Sequence, residues 1–232
     1  MIKIALIGDG KVGSKFAELV AARPSEYQLT IFNINRPPTY ETLIGHDVIM
    51  SFVPGTVFAD LIPLLAKVGL PVVVGSTGFS WPADLAEKLQ QQHVRWIHAS
   101  NFSLGMALIH AVLQILGRAP RLNKNITTHI HEIHHVHKKD APSGTALAWQ
   151  KWLNLPADIT SERIGEEIGT HELKMRLPFE EITLRHQALD RKIFAEGALW
   201  AIEQILNNPQ IPYGINHFAD LTASLLAQEL EK

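Results

Sequence analysis

The sequence contains no cysteine, which excludes disulfides, thiolate metal ligands and a cysteine nucleophile, and favours a reducing, cytoplasmic address. It also lacks a long apolar run. Stretches such as Ile4 to Ile7 and Asp47 to Val53 are broken by glycine or polar residues far short of the roughly 18 needed to span a bilayer, so no membrane partner is expected. Neither sign of charge dominates: 21 Lys plus Arg stand against 23 Asp plus Glu, giving −2. That balance is too even to gather nucleic acid or an anionic surface by field strength alone. Met1 to Ile7 runs straight into a glycine turn, without the apolar stretch and small-residue cleavage site of a secretory signal. No internal repeat or low-complexity segment occurs. What is present is 232 residues that are 46% hydrophobic, enough for a sizeable core in one large or two small domains.

Short β-branched apolar runs alternate with segments of helical period from the start of the chain. Ile2 to Ile7, Tyr27 to Phe32, Asp47 to Val53, Pro71 to Val74 and Val94 to His98 read as strands. Gly13 to Ala22, Val57 to Lys67 and Pro82 to Gln91 read as the helices between them. This pattern predicts an α/β fold, a Rossmann-like doubly wound parallel sheet covered on both faces. After an apolar helix from Gly105 to Gly117, Asn125 to His135 alternates like a strand with two chemically different faces. Gly144 to Leu153 is helical, and Ile159 to Ile193 carries three or four β-type stretches with no helix between them. A second α+β domain with a mixed or antiparallel sheet is therefore expected, and a substrate domain is its natural role. Ala195 to Leu206 and His217 to Leu230 regain helical period and are expected to return to the first sheet.

Gly8-Asp9-Gly10-Lys11-Val12-Gly13 is a G-x-G-x-x-G turn between the first strand and the first helix. In that setting the first glycine permits a tight turn, the second admits a pyrophosphate to the backbone, and the third lets helix and strand pack closely. A dinucleotide is the expected ligand. The end of the second strand reads Phe32-Asn33-Ile34-Asn35-Arg36, with no carboxylate to repel a 2′-phosphate and a guanidinium to grip it, so NADPH is preferred and NADH remains possible. Gly75-Ser76-Thr77-Gly78 and Ala99-Ser100-Asn101-Phe102 follow strands at the same carboxyl edge, where open α/β sheets bind ligands.

The densest chemistry is His129 to Thr145, HIHEIHHVHKKDAPSGT, with five histidines in nine residues. Residues 129, 131 and 133 share a strand face, so His129 and His131 are candidate metal ligands, with another histidine completing the shell. Lys138 and Lys139 stand against that reading, and no metal is expected. Asp140-Ala141-Pro142-Ser143-Gly144-Thr145 opens a helix whose N-terminal amides suit a carboxylate. His134, His135, His137 and Lys138 beside it could neutralise acid groups and deliver a proton near pH 7.

Glu132 to Ala146 closely resembles the E-x-H-H-x-x-K-x-D-A-P-S-G-T-A signature of the bacterial 4-hydroxy-tetrahydrodipicolinate (dihydrodipicolinate) reductase family. The resemblance extends to the glycine turn, to Gly75-Ser76-Thr77-Gly78-Phe79 and to Ala99-Ser100-Asn101-Phe102-Ser103. It implies reduction of a cyclic dicarboxylate in the diaminopimelate route to lysine, by hydride transfer from NADH or NADPH, in a homotetramer. By motif, His134 resembles the proton donor, Lys138 the cation that binds a substrate carboxylate and supports the transfer, His135 a further substrate contact, and Gly144 and Thr145 the donors to the second carboxylate. Gly8, Gly10, Lys11, Val12, Gly13, Arg36, Gly75, Ser76, Thr77, Ala99, Ser100, Asn101 and Phe102 match the cofactor positions. The resemblance also implies a discontinuous nucleotide domain, 1–103 with 192–232, around a substrate-binding and oligomerisation domain at 104–191. Two departures stand out: Asn35 replaces the acidic residue that many members carry, and the chain is somewhat short. The rival functions are a dinucleotide-sensing protein without turnover and a metal-dependent hydrolase built on the histidine cluster.

Overall fold

The computed structural model describes residues 1–230, and contacts divide the chain into two compact units, Met1–Ser103 with the segment from Lys192 onward, and Leu104–Arg191. The chain begins β1 (Ile2–Ile7), α1 (Lys11–Ala21), β2 (Tyr27–Phe32), α2 (Tyr40–Leu43), β3 (Val48–Ser51), α3 (Gly55–Val68), β4 (Val72–Val74), α4 (Leu85–Gln91) and β5 (Arg95–His98). The second unit follows as α5 (Leu104–Leu116), β6 (Thr127–His134), α6 (Gly144–Leu153), β7 (Asp158–Arg163), β8 (Thr170–Leu177) and β9 (Glu180–Gln187). The chain then returns as α7 (Lys192–Asn207), β10 (Gly214–His217) and α8 (Phe218–Leu230).

The first unit is built on a six-stranded sheet of order β10-β5-β4-β3-β1-β2, in which every pairing is parallel. Val48–Ser51 and Val72–Val74 are buried throughout, as befits strands covered on both faces. Helix α1 buries Gly13, Phe16 and Val20, one stripe at helical spacing, and packs on α7. The small residues Ala195, Gly197, Ala198 and Ala201 let α7 approach closely: a Cβ on Gly197 would lie 1.7 Å from the Phe102 carbonyl oxygen. Strand order reverses at β1, which has β2 on one side and β3 on the other, and this places the Gly8–Gly13 turn at the switch point.

The second unit is a four-stranded mixed sheet, β7-β6-β8-β9, with β7 parallel to β6 and the other pairings antiparallel. Alternation along β6 turns Thr128, Ile130, Glu132 and His134 inward. Ile130, Leu173 and Met175 form a core with Met106, Ile109, Leu113, Ala146, Trp149 and Leu153 of α5 and α6.

Three local expectations change. The sixth strand, β10, was not foreseen: His217 ends it, and α8 starts only at Phe218. Pro209 and Pro212 precede the strand and its apolar content is one residue, Ile215; the polar Asn216 is held there by donating to the Pro212 carbonyl (2.9 Å). The β-type stretches between 159 and 193 resolve into three strands, and Ile193 belongs to the first turn of α7. Thr39 caps the unforeseen one-turn helix α2 through a reciprocal pair with Thr42. Among the described residues no helix is long and apolar enough to cross a membrane.

Candidate nucleotide and acid-base sites

At the end of β1, Gly8 has φ +97°, a conformation that L side chains rarely adopt, and a Cβ there would meet Val53 and the Phe52 backbone at 2.9–3.0 Å. Gly13 lies against the same turn, where a Cβ would stand 2.0 Å from the Gly8 carbonyl oxygen. Gly10 is different: nothing lies within 4 Å of its missing Cβ, so its bare backbone faces open space. No side chain caps α1, and the amides at Lys11, Val12 and Gly13 form an uncapped helix start. The turn thus fits a pyrophosphate, with two glycines required by packing and one leaving room.

Asn33 fastens the end of β2 to this turn by donating to Asp9 (2.7 Å), and its side-chain Oδ1 accepts the backbone amides of Asn35 (3.0 Å) and Arg36 (3.1 Å). Arg36 is exposed, its guanidinium 5.2 Å from the Phe32 ring centroid. After β4, a Cβ on Gly75 would strike the Phe52 ring at 2.6 Å. Ser76 is buried and its hydroxyl has no protein partner, while its carbonyl oxygen lies 3.0 Å from His98 Nε2. Burial holds His98 below the ordinary histidine range, and the neutral ring donates to that carbonyl. Thr77 and Ser100 are exposed; Ala99 and Phe102 are buried, the latter ring 6.3 Å from Phe52 and 5.1 Å from Phe218. Phe102 is therefore part of the core, and Asn101 turns inward to accept the Ser103 amide (2.8 Å).

The second unit carries the acid-base cluster. Glu132 and His134 stand two residues apart on the inward face of β6, and the Glu132 carboxylate accepts from His134 Nδ1. Its other oxygen accepts from Arg163 of β7 (2.9 Å) and from the amide of Ser143 at the start of α6 (3.3 Å). Burial alone would raise the Glu132 pKa, but hydrogen bonds from Arg163, Ser161 and His134 outweigh it and hold the carboxyl down to about 2. His171 of β8 meets the Ser143 hydroxyl through Nε2 (3.1 Å) and crosses the His134 ring edge to face at 5.0 Å. Burial pushes His171 down to about 3, so it is neutral.

Ser143 caps α6, its hydroxyl accepting the Ala146 amide (3.2 Å), and the amides of Gly144 and Thr145 remain without intrahelical acceptors. Lys138 donates to the Asp140 carboxylate (2.8 Å). That carboxylate is held below its ordinary range by Lys138 and also by the Gly144 amide. Lys138 and Gly144 thus both engage the Asp140 carboxylate. His135 is half-buried, with an Nδ1 that is buried and has no protein partner.

His129 and His131 lie on the other face of β6, bridged by the Thr160 hydroxyl (3.0 and 2.9 Å), and do not join the cluster. Glu132, His134 and His171 bring one donor atom each within 4.8 Å of one another, the geometry of a metal-ligand trio. Their carboxylate is already taken up by a guanidinium, an amide and an imidazole, a donor set that suits a buried anion better than a cation. Sequence reasoning gave no role to Glu132, Arg163 or His171, and read Ser143 only as part of the helix start that offers backbone donors. The signal for His171 was its place in the alternation with Leu173 and Met175, the buried face of β8.

Residues 105–218 match the family model described as dihydrodipicolinate reductase, C-terminus. The 4-hydroxy-tetrahydrodipicolinate reductase of Xanthomonas axonopodis pv. citri is 30% identical over 232 residues, covering 92% of this chain and 96% of its own. That of Pelagibacter ubique is 31% identical over 193 residues, covering 73% and 74%. Among solved structures, a dihydrodipicolinate reductase from Paenisporosarcina sp. TG-14 with dipicolinate bound superposes with a TM-score of 0.74 at 21% identity, over 94% of this chain and 97% of that one. With the signature at Glu132 to Ala146 on β6 and α6, and with relatives aligned along nearly the full length, the chain belongs to the 4-hydroxy-tetrahydrodipicolinate reductase family.

Proposed function

We propose that this chain reduces 4-hydroxy-tetrahydrodipicolinate, by way of dihydrodipicolinate, to tetrahydrodipicolinate in the diaminopimelate route to lysine. The observation that carries the reading is the Glu132 carboxylate, which joins the candidate proton donor His134 to the anion-receptive start of α6. A bound nicotinamide supplies the hydride. The unit that includes 1–103 holds the nucleotide, through the Gly8–Gly13 turn, Arg36, Gly75–Thr77 and Ala99–Phe102; Leu104–Arg191 holds the substrate and makes subunit contacts in a homotetramer, in the cytoplasm. His134 hands its proton to the ring as hydride arrives. Lys138 takes one substrate carboxylate and the Gly144–Thr145 amides take the second, Asp140 giving way to them, and His135 adds a further contact.

The test is reduction of freshly generated product of the preceding synthase, followed by NADPH consumption. Pyridine-2,6-dicarboxylate is expected to compete with substrate. Pyridine-2-carboxylate forfeits one charged contact, about 1.5–3 kcal/mol, and should bind roughly ten- to a hundredfold more weakly. Equal affinity for the two acids in a competition titration would show that only one carboxylate is read.

NADPH is expected to bind at least as well as NADH, because Arg36 follows an Asx turn that carries no carboxylate where the 2′-phosphate would sit. Arg36→Ala should weaken NADPH about ten- to a hundredfold and leave NADH nearly unchanged. Direct binding of both nucleotides to the variant checks this, and parallel losses would remove Arg36 from the phosphate site.

A further inference from the structure

We propose that Glu132 is a positioning residue for the acid: anchored by Arg163 and the Ser143 amide, it accepts a hydrogen bond from Nδ1–H of His134 and leaves Nε2, beside Gly169, as the nitrogen that exchanges a proton with substrate. The proposal rests on the reading of His134 as proton donor, and concerns what sets its tautomer and charge.

Glu132 is 0% exposed, and a carboxylate so placed is tolerated only when its oxygens are paired. Both are, as described above. An ionised carboxylate is an acceptor only, so its bond to His134 fixes Nδ1 as the donor. The neutral ring then carries its proton on Nδ1 and presents a bare Nε2. A transferable proton sits on Nε2 only in the imidazolium form. In the transfer the Nε2–H bond breaks, a C–H bond forms on the substrate, the bonding pair stays on nitrogen, and the neutral Nδ1–H ring is re-protonated from water.

The surroundings of Nε2 agree. A Cβ at position 169 would lie 3.0 Å from it, so glycine there keeps that side of the ring clear. The charged and titratable groups that face His134 are Glu132 on β6, Arg163 on β7, His171 on β8 and Lys138 in the loop after β6. Burial lowers the His134 pKa foremost, Glu132 raises it, and Lys138 and Arg163 lower it. His171 is neutral and engages Ser143, so it offers no competing acid. Glu132 is thus the one anion among these neighbours, and without it the imidazolium would face cations and a neutral ring.

The experiment compares wild type with Glu132→Gln and Glu132→Asp, using 15N-histidine NMR for the tautomer and pH profiles of kcat/KM for NADPH-dependent reduction of dihydrodipicolinate. In wild type the neutral His134 ring should show the Nδ1–H tautomer. Since His134 acts while protonated, activity falls as pH rises through its pKa. Removing an opposite charge at hydrogen-bond distance moves such a titration by about 1–3 pH units. In Glu132→Gln this limb should therefore move down by at least about one unit, with KM little changed, and Glu132→Asp should restore part of the shift. An unmoved limb in a folded Glu132→Gln protein overturns the proposal. So does an Nε2–H tautomer in active wild type, which decides the matter even if the variants fail to fold. The Nδ1–H tautomer in a wild-type protein without turnover would instead overturn the reductase reading and leave the carboxylate–imidazole pair standing.

Discussion

Replacing His134 with Gln is expected to lower turnover of the dicarboxylate by about 10²–10⁴-fold while NADPH affinity stays nearly constant. The size follows from what is lost. Gln preserves bulk and a polar tip on the inward face of β6 but has no proton to give near neutral pH, and a positioned acid is removed outright. The turn proposed to hold the nucleotide, Gly8–Gly13, belongs to the other unit. Lys138→Met should also depress turnover with cofactor affinity intact, because the ammonium that now holds Asp140 at 2.8 Å is the cation that would meet the substrate. Steady-state kinetics with separately measured nucleotide affinities check both variants. Full turnover with unchanged substrate dependence, in either one, would remove that residue from the reaction.

Gly13→Ala should unfold the molecule many degrees early, whereas Gly10→Ala should leave its melting temperature alone and cost it the nucleotide. The two glycines belong to one motif but face different constraints. At Gly13 the added methyl would lie 2.0 Å from the Gly8 carbonyl oxygen. Both groups are fixed by backbone, so no side chain can rotate away; either α1 retreats from β1 or Gly8, already at φ +97°, twists further. Overpacking typically costs about 1–3 kcal/mol and occasionally more, and a clash between main-chain groups belongs at the upper end. At roughly 2–4 °C per kcal/mol for a protein of this size, a loss of about 3 kcal/mol lowers Tm by about 6–12 °C. At Gly10 the methyl meets nothing within 4 Å and strains no contact, but it enters the space a pyrophosphate would use. Thermal melts and nucleotide titrations of the pair separate the two roles. A wild-type Tm in Gly13→Ala, or unaltered nucleotide binding in Gly10→Ala, would contradict this division.

Much of this was legible along the chain, for reasons that differ by element. The strands β1 to β5 announce themselves as short apolar runs between amphipathic segments, most plainly β3 and β4, where burial on both faces removes nearly all polar residues. The inward and outward faces of β6 were visible in the alternation from Asn125 to His135. What could not be read was any relation that depends on register. His171 meets this site because β8 pairs antiparallel with β6 and sets it opposite Glu132; Arg163 arrives because β7 pairs parallel and sets it opposite His134. Neither spacing exists in the linear sequence. The contact of Lys138 and Gly144 with Asp140 was hidden for a similar reason. The turn between them brings Asp140 back onto both, and only coordinates show one carboxylate satisfying two donors. β10 escaped notice because a four-residue edge strand held by one isoleucine and an asparagine leaves no period to detect.

That late strand also sets an order of events during synthesis. β5 has β4 on one side, and its other edge is closed only by β10, through pairings from Gly214–Arg95 to His217–His98. Between those strands the ribosome must make all of residues 104–191, the helix α7 that packs on β3, β4 and β5, and the loop beyond it. At about 5–20 residues per second, the edge of β5 waits roughly 6–25 s for its partner. During that time the nascent sheet offers a row of unpaired amides and carbonyls, and lacks the helix that will cover part of one face, which is the state in which neighbouring chains join strand to strand. The pairing of β8 with β9 is local and that of β6 with β8 waits only about 2–10 s at the same rate, so residues 104–191 are able to mature while the first sheet is still incomplete.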